Sequence, residues 1–169
     1  LCPKCGDATV IKLSKILKFD NPILKTMCST VSKEDDLDFI TTMKKVLCVT
    51  KNGVGLSANQ IGISKRVFVL RFDVKINNLL VMINPEIIEH TDPQILAHKN
   101  DIYRSEEGCL SYPGVFCKVN RYYNINIRYF DEKFEVHEEE FYGFRAIVIQ
   151  HEIDHVNSGM CYVGQEWER

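Results

Sequence analysis

The sequence lacks any apolar run long enough to cross a membrane, and its charges nearly balance. Lys and Arg total 21 while Asp and Glu total 23, which gives a net charge of -2 at pH 7. A balance of this kind provides no basic surface for DNA or for an anionic membrane. We therefore expect neither a DNA-binding protein nor a membrane protein.

An export signal is also missing, because the first residues, Leu1-Cys2-Pro3-Lys4-Cys5, contain no apolar stretch. The seven cysteines are therefore expected to be cytoplasmic thiols and ligands, with no disulfide framework. Because the sequence does not begin with Met, an N-terminal leader can have been removed. An organelle is therefore the alternative location.

The N-terminus carries half of a zinc-ribbon knuckle. Cys2 and Cys5 form a CPxCG motif, but the sequence has no second CxxC to complete such a site. We interpret residues 1–11 as an extension with an isolated CxxC. The remaining residues, 12–169, are long enough for one domain with a substantial core.

The most informative segment is Gln150-His151-Glu152-Ile153-Asp154-His155. On a helix, His151 and His155 project from the same face, so that both can bind one metal ion. Glu152 points about 100° further round the helix, beside the ion. A general base must lie there to handle the protons of a bound water molecule. The segment predicts a mononuclear metallohydrolase that needs a third ligand.

The chain after His155 does not match the common HExxH proteases. Metzincins have a glycine three residues and a histidine six residues further on, where this chain has Ser158 and Cys161. The best upstream ligand is Cys109, which lies between Gly108 and a predicted Tyr-Pro-Gly turn, because a thiolate binds zinc or ferrous iron strongly. The alternatives are Cys161 or a terminal glutamate, either of which would indicate a zinc endopeptidase.

Hydrophobic periodicity predicts an α+β fold in which antiparallel strands pack around one central metal-binding helix. Ser32 and Asp35 predict a capping box for a first helix that ends near residue 50. Further predicted elements are strands at 66–71 and 79–83, a polar loop at 90–105, a hairpin of 124–129 with 134–138, and a buried helix from 144 to about 157.

Three sequence blocks carry a family resemblance. Residues 53–60 read GVGLSANQ, residues 107–111 read EGCLS, and residues 150–155 read QHEIDH. In this order they resemble the three signature motifs of peptide deformylase. The resemblance implies that 12–169 form a catalytic domain that removes the N-formyl group from the formyl-methionine of newly synthesised polypeptides and releases formate.

The resemblance also implies a role for each site residue. Three residues hold one divalent ion, Fe²⁺ in the cell with Zn²⁺, Ni²⁺ or Co²⁺ as substitutes: Cys109, His151 and His155. The ion lowers the pKa of its water, and Glu152 takes a proton as hydroxide attacks the formyl carbonyl. Glu152 then protonates the departing amine. The side-chain amide of Gln60 and the backbone N–H of Leu110 stabilise the oxyanion.

Substrate-binding positions follow from the same resemblance, and they are Val54, Gly55, Glu107, Gly108, Phe144, Ile147 and Val148. The backbone around Gly55 lies beside the substrate, where a Cβ would obstruct strand-like pairing. Glu107 also pairs with Arg121 as structural support for the cysteine loop. Without the family, the apolar members of this set are equally typical of an ordinary core.

The chain departs from the family pattern at several places. Ser57 replaces the usual alanine, and Phe116 replaces an arginine of many bacterial members, so contacts beyond methionine are expected to differ. The basic C-terminal helix that docks bacterial members on the ribosome is missing, as in members from bacteriophages and some organelles. We expect a cytoplasmic monomer acting on N-formyl-methionyl nascent peptides. A metal-binding module without turnover is the non-enzymatic alternative.

Overall fold

The computed structural model describes residues 16–73, 78–90, 104–157 and 167–168. The predicted N-terminal extension, most of the predicted loop at 90–105 and the alternative ligand Cys161 lie outside the described residues. Within them there are two α-helices, α1 (Asp38–Val49) and α2 (Gly143–Asn157), and two short 3-10 helices (Pro22–Lys25 and Ala58–Ile61). The strands are β1 (Gly55–Ser57), β2 (Val67–Leu70), β3 (Leu80–His90), β4 (Arg104–Cys109), β5 (Tyr112–Asn120), β6 (Asn124–Phe130), β7 (Val136–Tyr142) and β8 (Trp167–Glu168).

The strands form two antiparallel sheets. The larger sheet has the order β1-β2-β3-β6-β7, and the smaller has the order β4-β5-β8. Alternate residues of β2 and β3 face opposite sides of the larger sheet, as the two-residue period of a strand requires. Phe68 and Met82 pack in the cluster that includes α2, whereas Val69 and Val81 pack in the cluster that includes α1.

The helix α2 is central, and the predicted α+β fold is confirmed. It packs against β1, β2, β6 and β7, and every residue from 146 to 153 is buried. Such a helix has no solvent-exposed polar face, so its polar side chains must find partners inside the protein. Neither α-helix of the described residues is long and apolar enough to span a membrane.

The predicted capping box is wrong as a helix start. The backbone N–H of Ser32 donates to the Asp35 carboxylate at 3.0 Å, and the Asp35 N–H donates to the Ser32 carbonyl at 3.2 Å. These bonds close a turn ahead of α1, which begins at Asp38. The Asp35 carboxylate also pairs with the Lys65 ammonium group at 2.9 Å, which holds the Asp35 side chain at this turn.

The predicted turn after the cysteine is misplaced by two residues. Cys109 pairs with Tyr112, so the tight turn of the β4–β5 hairpin contains only the two residues between them. Pro113 and Gly114 lie within β5, where the register shifts and Gly114 has a φ of +74°. Because a proline cannot donate to a ladder and glycine tolerates positive φ, this pair favours an irregularity in the strand.

Arg71 follows β2 and fastens the end of α1 to the loop that precedes β1. Its guanidinium is 5% exposed and donates to the backbone carbonyls of Cys48, Thr50 and Gly53 at 2.7–3.3 Å. The carbonyls at a helix C-terminus carry the negative end of the helix dipole, which suits a cation. The Arg71 backbone N–H also donates to the Val54 carbonyl at 2.7 Å.

We expect Arg71→Met to lower the free energy of unfolding by about 3 kcal/mol, because several buried carbonyls lose a charged donor. Urea unfolding of the two proteins measures the difference. The matched control is Arg128→Met, which removes a half-exposed pair with Glu138 and should cost less than about 1 kcal/mol. Equal losses in the two variants would contradict the role given to Arg71.

Candidate metal centre

The structure brings together the three predicted ligands. His151 and His155 lie one turn apart on α2, and their ring centroids are 5.0 Å apart. The β4–β5 hairpin brings the Cys109 Sγ to 3.3 Å from the His155 Nε2. One ligand atom from each of the three residues lies within 4.8 Å of the other two. A thiolate with two imidazoles is a donor set that suits zinc or ferrous iron, so these residues fit a divalent ion.

Electrostatics around Cys109 favour the form that binds metal. Burial on its own would raise the pKa of the Cys109 thiol, but the imidazoles of His155 and His151 bring that pKa well below its usual range. The thiolate is the metal ligand, so the two histidines prepare Cys109 for an ion.

A buried ion pair orients His151. Glu107 accepts two hydrogen bonds from the Arg121 guanidinium, at 2.8 and 2.7 Å, as predicted for this pair. Its Oε1 also lies 2.8 Å from the His151 Nδ1, which leaves Nε2 as the ring nitrogen available to an ion. Burial opposes ionisation of Glu107, but Arg121 and His151 lower its pKa to about 2. The Glu107 carboxylate is therefore engaged by Arg121 and His151, and its contact with substrate stays a prediction.

Asp154 completes this network and was not singled out from the sequence. Its Oδ2 accepts a hydrogen bond of 2.6 Å from the Arg121 Nη1. The available signal was its position three residues after His151, which places both side chains on the same side of α2. Arg121 thus links the cysteine hairpin to α2.

Glu152 lies beside the group formed by Cys109, His151 and His155, and one of its carboxylate oxygens makes no hydrogen bond within the described residues. The residue is 3% exposed, and burial raises the pKa of its carboxyl. Its Oε2 has no hydrogen-bond partner among the described residues. A Cβ added to Gly55 would lie 2.5 Å from the Glu152 Oε1 and 3.0 Å from its Cδ and Cγ, so any other residue here would displace the Glu152 side chain. This contact arises because β1 runs directly against α2, and the predicted approach of substrate to the Gly55 backbone stays a prediction.

Gln60 is held by a local capping box. Its Oε1 accepts from the Ser57 N–H at 2.9 Å, and its Nε2 donates to the Ser111 Oγ at 3.0 Å and lies 3.7 Å from the Cys109 Sγ. The Ser57 hydroxyl adds a contact of 3.1 Å to the Gln60 Oε1, which the alanine expected at this position could not make. The amide N–H groups of Gln60 are therefore directed at the cysteine hairpin.

A cavity of about 880 Å³ opens onto the cluster. All seven predicted substrate-binding residues line it, together with Gln60, Leu110, His151 and Glu152. Ile147 and Val148 are buried, and Val148 belongs to the core cluster around α2, so for Val148 the cavity and core interpretations both hold. Phe144 is 54% exposed and Phe116 is 52% exposed, so these two rings form part of the cavity mouth.

Comparisons with known proteins agree with this site. A family model described as polypeptide deformylase matches residues 13–165. The peptide deformylase of Thermotoga maritima is 38% identical over 145 residues, which cover 85% of this chain and 81% of that protein. Its crystal structure superposes with a TM-score of 0.72 at 35% identity, over 89% of this chain and 95% of that chain.

A second solved structure is a peptide deformylase from Synechococcus elongatus in complex with actinonin. Its TM-score is 0.74 at 31% identity, over 85% of this chain and 75% of that chain. The family match extends over most of the sequence and includes all three blocks that surround the cavity. The chain therefore belongs to the polypeptide deformylase family.

Proposed function

We propose that this protein hydrolyses the formyl amide of N-formyl-methionyl nascent peptides at the cavity beside Cys109, as a cytoplasmic monomer. The family match supports deformylation as the reaction. The observation that carries the mechanism is a buried carboxylate, Glu152, next to three clustered metal ligands at an open cavity.

Cys109, His151 and His155 are proposed to hold one divalent ion, Fe²⁺ in the cell, with Zn²⁺, Ni²⁺ and Co²⁺ compatible with the same ligands. Three protein ligands are the usual number in a catalytic zinc site. When bound, such an ion lowers the pKa of a water molecule and polarises a carbonyl oxygen. Glu107 and Arg121 keep the His151 ring in the orientation that this requires.

Glu152 is proposed to move the proton. It accepts a proton from water as the water oxygen adds to the formyl carbon, and it returns that proton to the nitrogen as the carbon–nitrogen bond breaks. Formate and a free methionine amine result. Burial raises the pKa of Glu152, which brings its basicity closer to neutral pH and suits a group that must both accept and donate a proton.

Gln60 and Leu110 are proposed to stabilise the developing oxyanion. Gln60 is fixed by Ser57 and Ser111 with its amide N–H groups near Cys109, and Leu110 follows Cys109 directly in the hairpin turn. Donors held in place before the reaction need no reorganisation in the transition state. The apolar wall of the cavity is proposed to take the methionine side chain, and it consists of Val54, Phe144, Ile147 and Val148.

The test is formate release from a formyl-Met tripeptide by protein prepared without oxygen and loaded with Fe²⁺ or Ni²⁺. We expect one formate and one free amino terminus for each peptide consumed, with internal peptide bonds intact. Cleavage of an internal bond would instead support the zinc endopeptidase. Stoichiometric metal with neither product would support the non-enzymatic module.

We expect Gly55→Ala to lower kcat by about 100-fold, because displacement of a reacting group by about 1 Å costs roughly this much. The added Cβ would meet the Glu152 Oε1 at 2.5 Å and push the carboxylate out of place. Steady-state kinetics with metal analysis measures the effect. The control is Gly53→Ala in the same loop, whose Cβ meets Leu47 and Thr50 at the end of α1 and leaves Glu152 untouched. An equal loss of kcat in both variants would show that loop damage alone is responsible.

A further inference from the structure

Residues 17–19 precede the 3-10 helix Pro22–Lys25 and contact both parts of the chain that carry the proposed oxyanion donors. The backbone N–H of Leu17 donates to the backbone carbonyl of Gln60 at 2.7 Å. The preceding Ile16 is 4% exposed and packs in the cluster around α1, which anchors the segment in the core. The segment therefore holds the main chain of the first donor residue.

The same segment holds the hairpin that carries the second donor. The Lys18 ammonium donates to the Leu110 carbonyl at 3.1 Å, and the Phe19 N–H donates to the Ser111 carbonyl at 3.1 Å. The Phe19 ring stacks on Tyr112 with a centroid distance of 5.5 Å. Both carbonyls of the two-residue turn are therefore fixed, which restricts rotation of the peptide planes on either side of Ser111. The first of these planes adjoins the one that carries the Leu110 N–H.

The contacts form a closed ring. Gln60 is bonded to Leu17 through its main chain and to Ser111 through its side chain, at 2.7 and 3.0 Å, and Ser111 is bonded back to Phe19. We propose that residues 17–19 are a strut that aligns the Gln60 amide with the Leu110 N–H, and that Lys18 is the positioning residue for the hairpin turn. This inference rests on the proposed function, because it assigns the strut to the oxyanion donors.

A purely structural brace and a positioning strut differ in their effect on kinetics. Oxyanion donors act in the transition state, so misalignment lowers kcat and leaves KM unchanged. Lys18 is exposed, and exposed substitutions usually change stability very little. A loss of kcat at constant thermal stability therefore reports on alignment.

The first experiment compares Lys18→Met with the parent enzyme. We expect kcat to fall about tenfold, less than the 10²–10³-fold loss typical when an oxyanion donor is deleted. KM, bound metal and the thermal midpoint should stay at parental values, and Lys18→Arg should restore kcat. The NMR order parameter of the Leu110 amide should fall in Lys18→Met. The control is Lys25→Met, an exposed lysine of the first 3-10 helix, which should match the parent in every measurement.

A double-mutant cycle with Gln60→Ala tests the coupling. If Lys18 acts through alignment of the two donors, the loss from Lys18→Met should be smaller once Gln60 is alanine. Parental kcat in Lys18→Met, or losses that simply multiply, would overturn the strut while leaving deformylation in place. A metal-loaded parent that releases no formate would overturn both proposals.

Discussion

Glu152→Gln is expected to lower kcat for formate release by about 10³-fold, since general acid–base groups typically contribute 10²–10⁴-fold. The amide has almost the shape of the carboxylate, yet it can neither accept the proton from water nor return it to the amine. Two other described carboxylates line the cavity, those of Glu106 and Glu107, and Glu107 is occupied by Arg121 and His151.

The assay must separate chemistry from metal loading. Bound metal and KM are measured alongside kcat, and both are expected to remain near parental values in Glu152→Gln. The matched control is Glu138→Gln, which removes a half-exposed carboxylate paired with Arg128 on the surface of β6 and β7. If Glu152→Gln keeps a tenth or more of parental kcat at full metal loading, another group moves the proton.

Cys109→Ala is expected to weaken binding of the divalent ion by more than about 100-fold, since loss of a supporting partner alone typically costs 10–100-fold in metal affinity. Cys109 supplies the only thiolate among the described ligand atoms of the cluster, and its Sγ lies 3.3 Å from the His155 Nε2. Formate release should be lost with the ion, because the cluster then has only two protein ligands.

Competition with a chelator under anaerobic conditions measures this affinity. Cys161→Ala is the decisive comparison, because Cys161 is the alternative third ligand of a metzincin-like site. The Cys161→Ala variant should bind the ion with the affinity of the parent. If Cys161→Ala loses the ion and Cys109→Ala retains it, the ligand set is wrong and the endopeptidase hypothesis gains support.

The parts of the site that follow local rules could be predicted from the sequence. The helical period places His151 and His155 on one face and Glu152 beside them, and the apolar residues 146–149 of α2 are buried, as a core helix requires. Cys109 was predicted from the chemistry of its thiolate and the Glu107–Arg121 pair from the family resemblance, and the structure places both next to His151.

The parts that depend on contacts between distant segments could not be predicted. Lys18 and Leu110 are 92 residues apart in sequence, and Arg71 is 18–23 residues from the carbonyls it binds. A single exposed lysine or a single arginine after a strand has no periodicity that reports such partners. Ser32 and Asp35 matched a helix-capping pattern, yet the same side-chain chemistry also closes a free-standing turn, as it does here.

The ligand set proposed for the catalytic ion is one thiolate and two imidazoles. X-ray absorption at the metal edge of the iron- or zinc-loaded protein tests it directly. We predict one sulfur and two imidazole nitrogens around one ion per chain, with the sulfur lost in Cys109→Ala. A first shell with two sulfurs or none, or a sulfur that persists in Cys109→Ala, would contradict it.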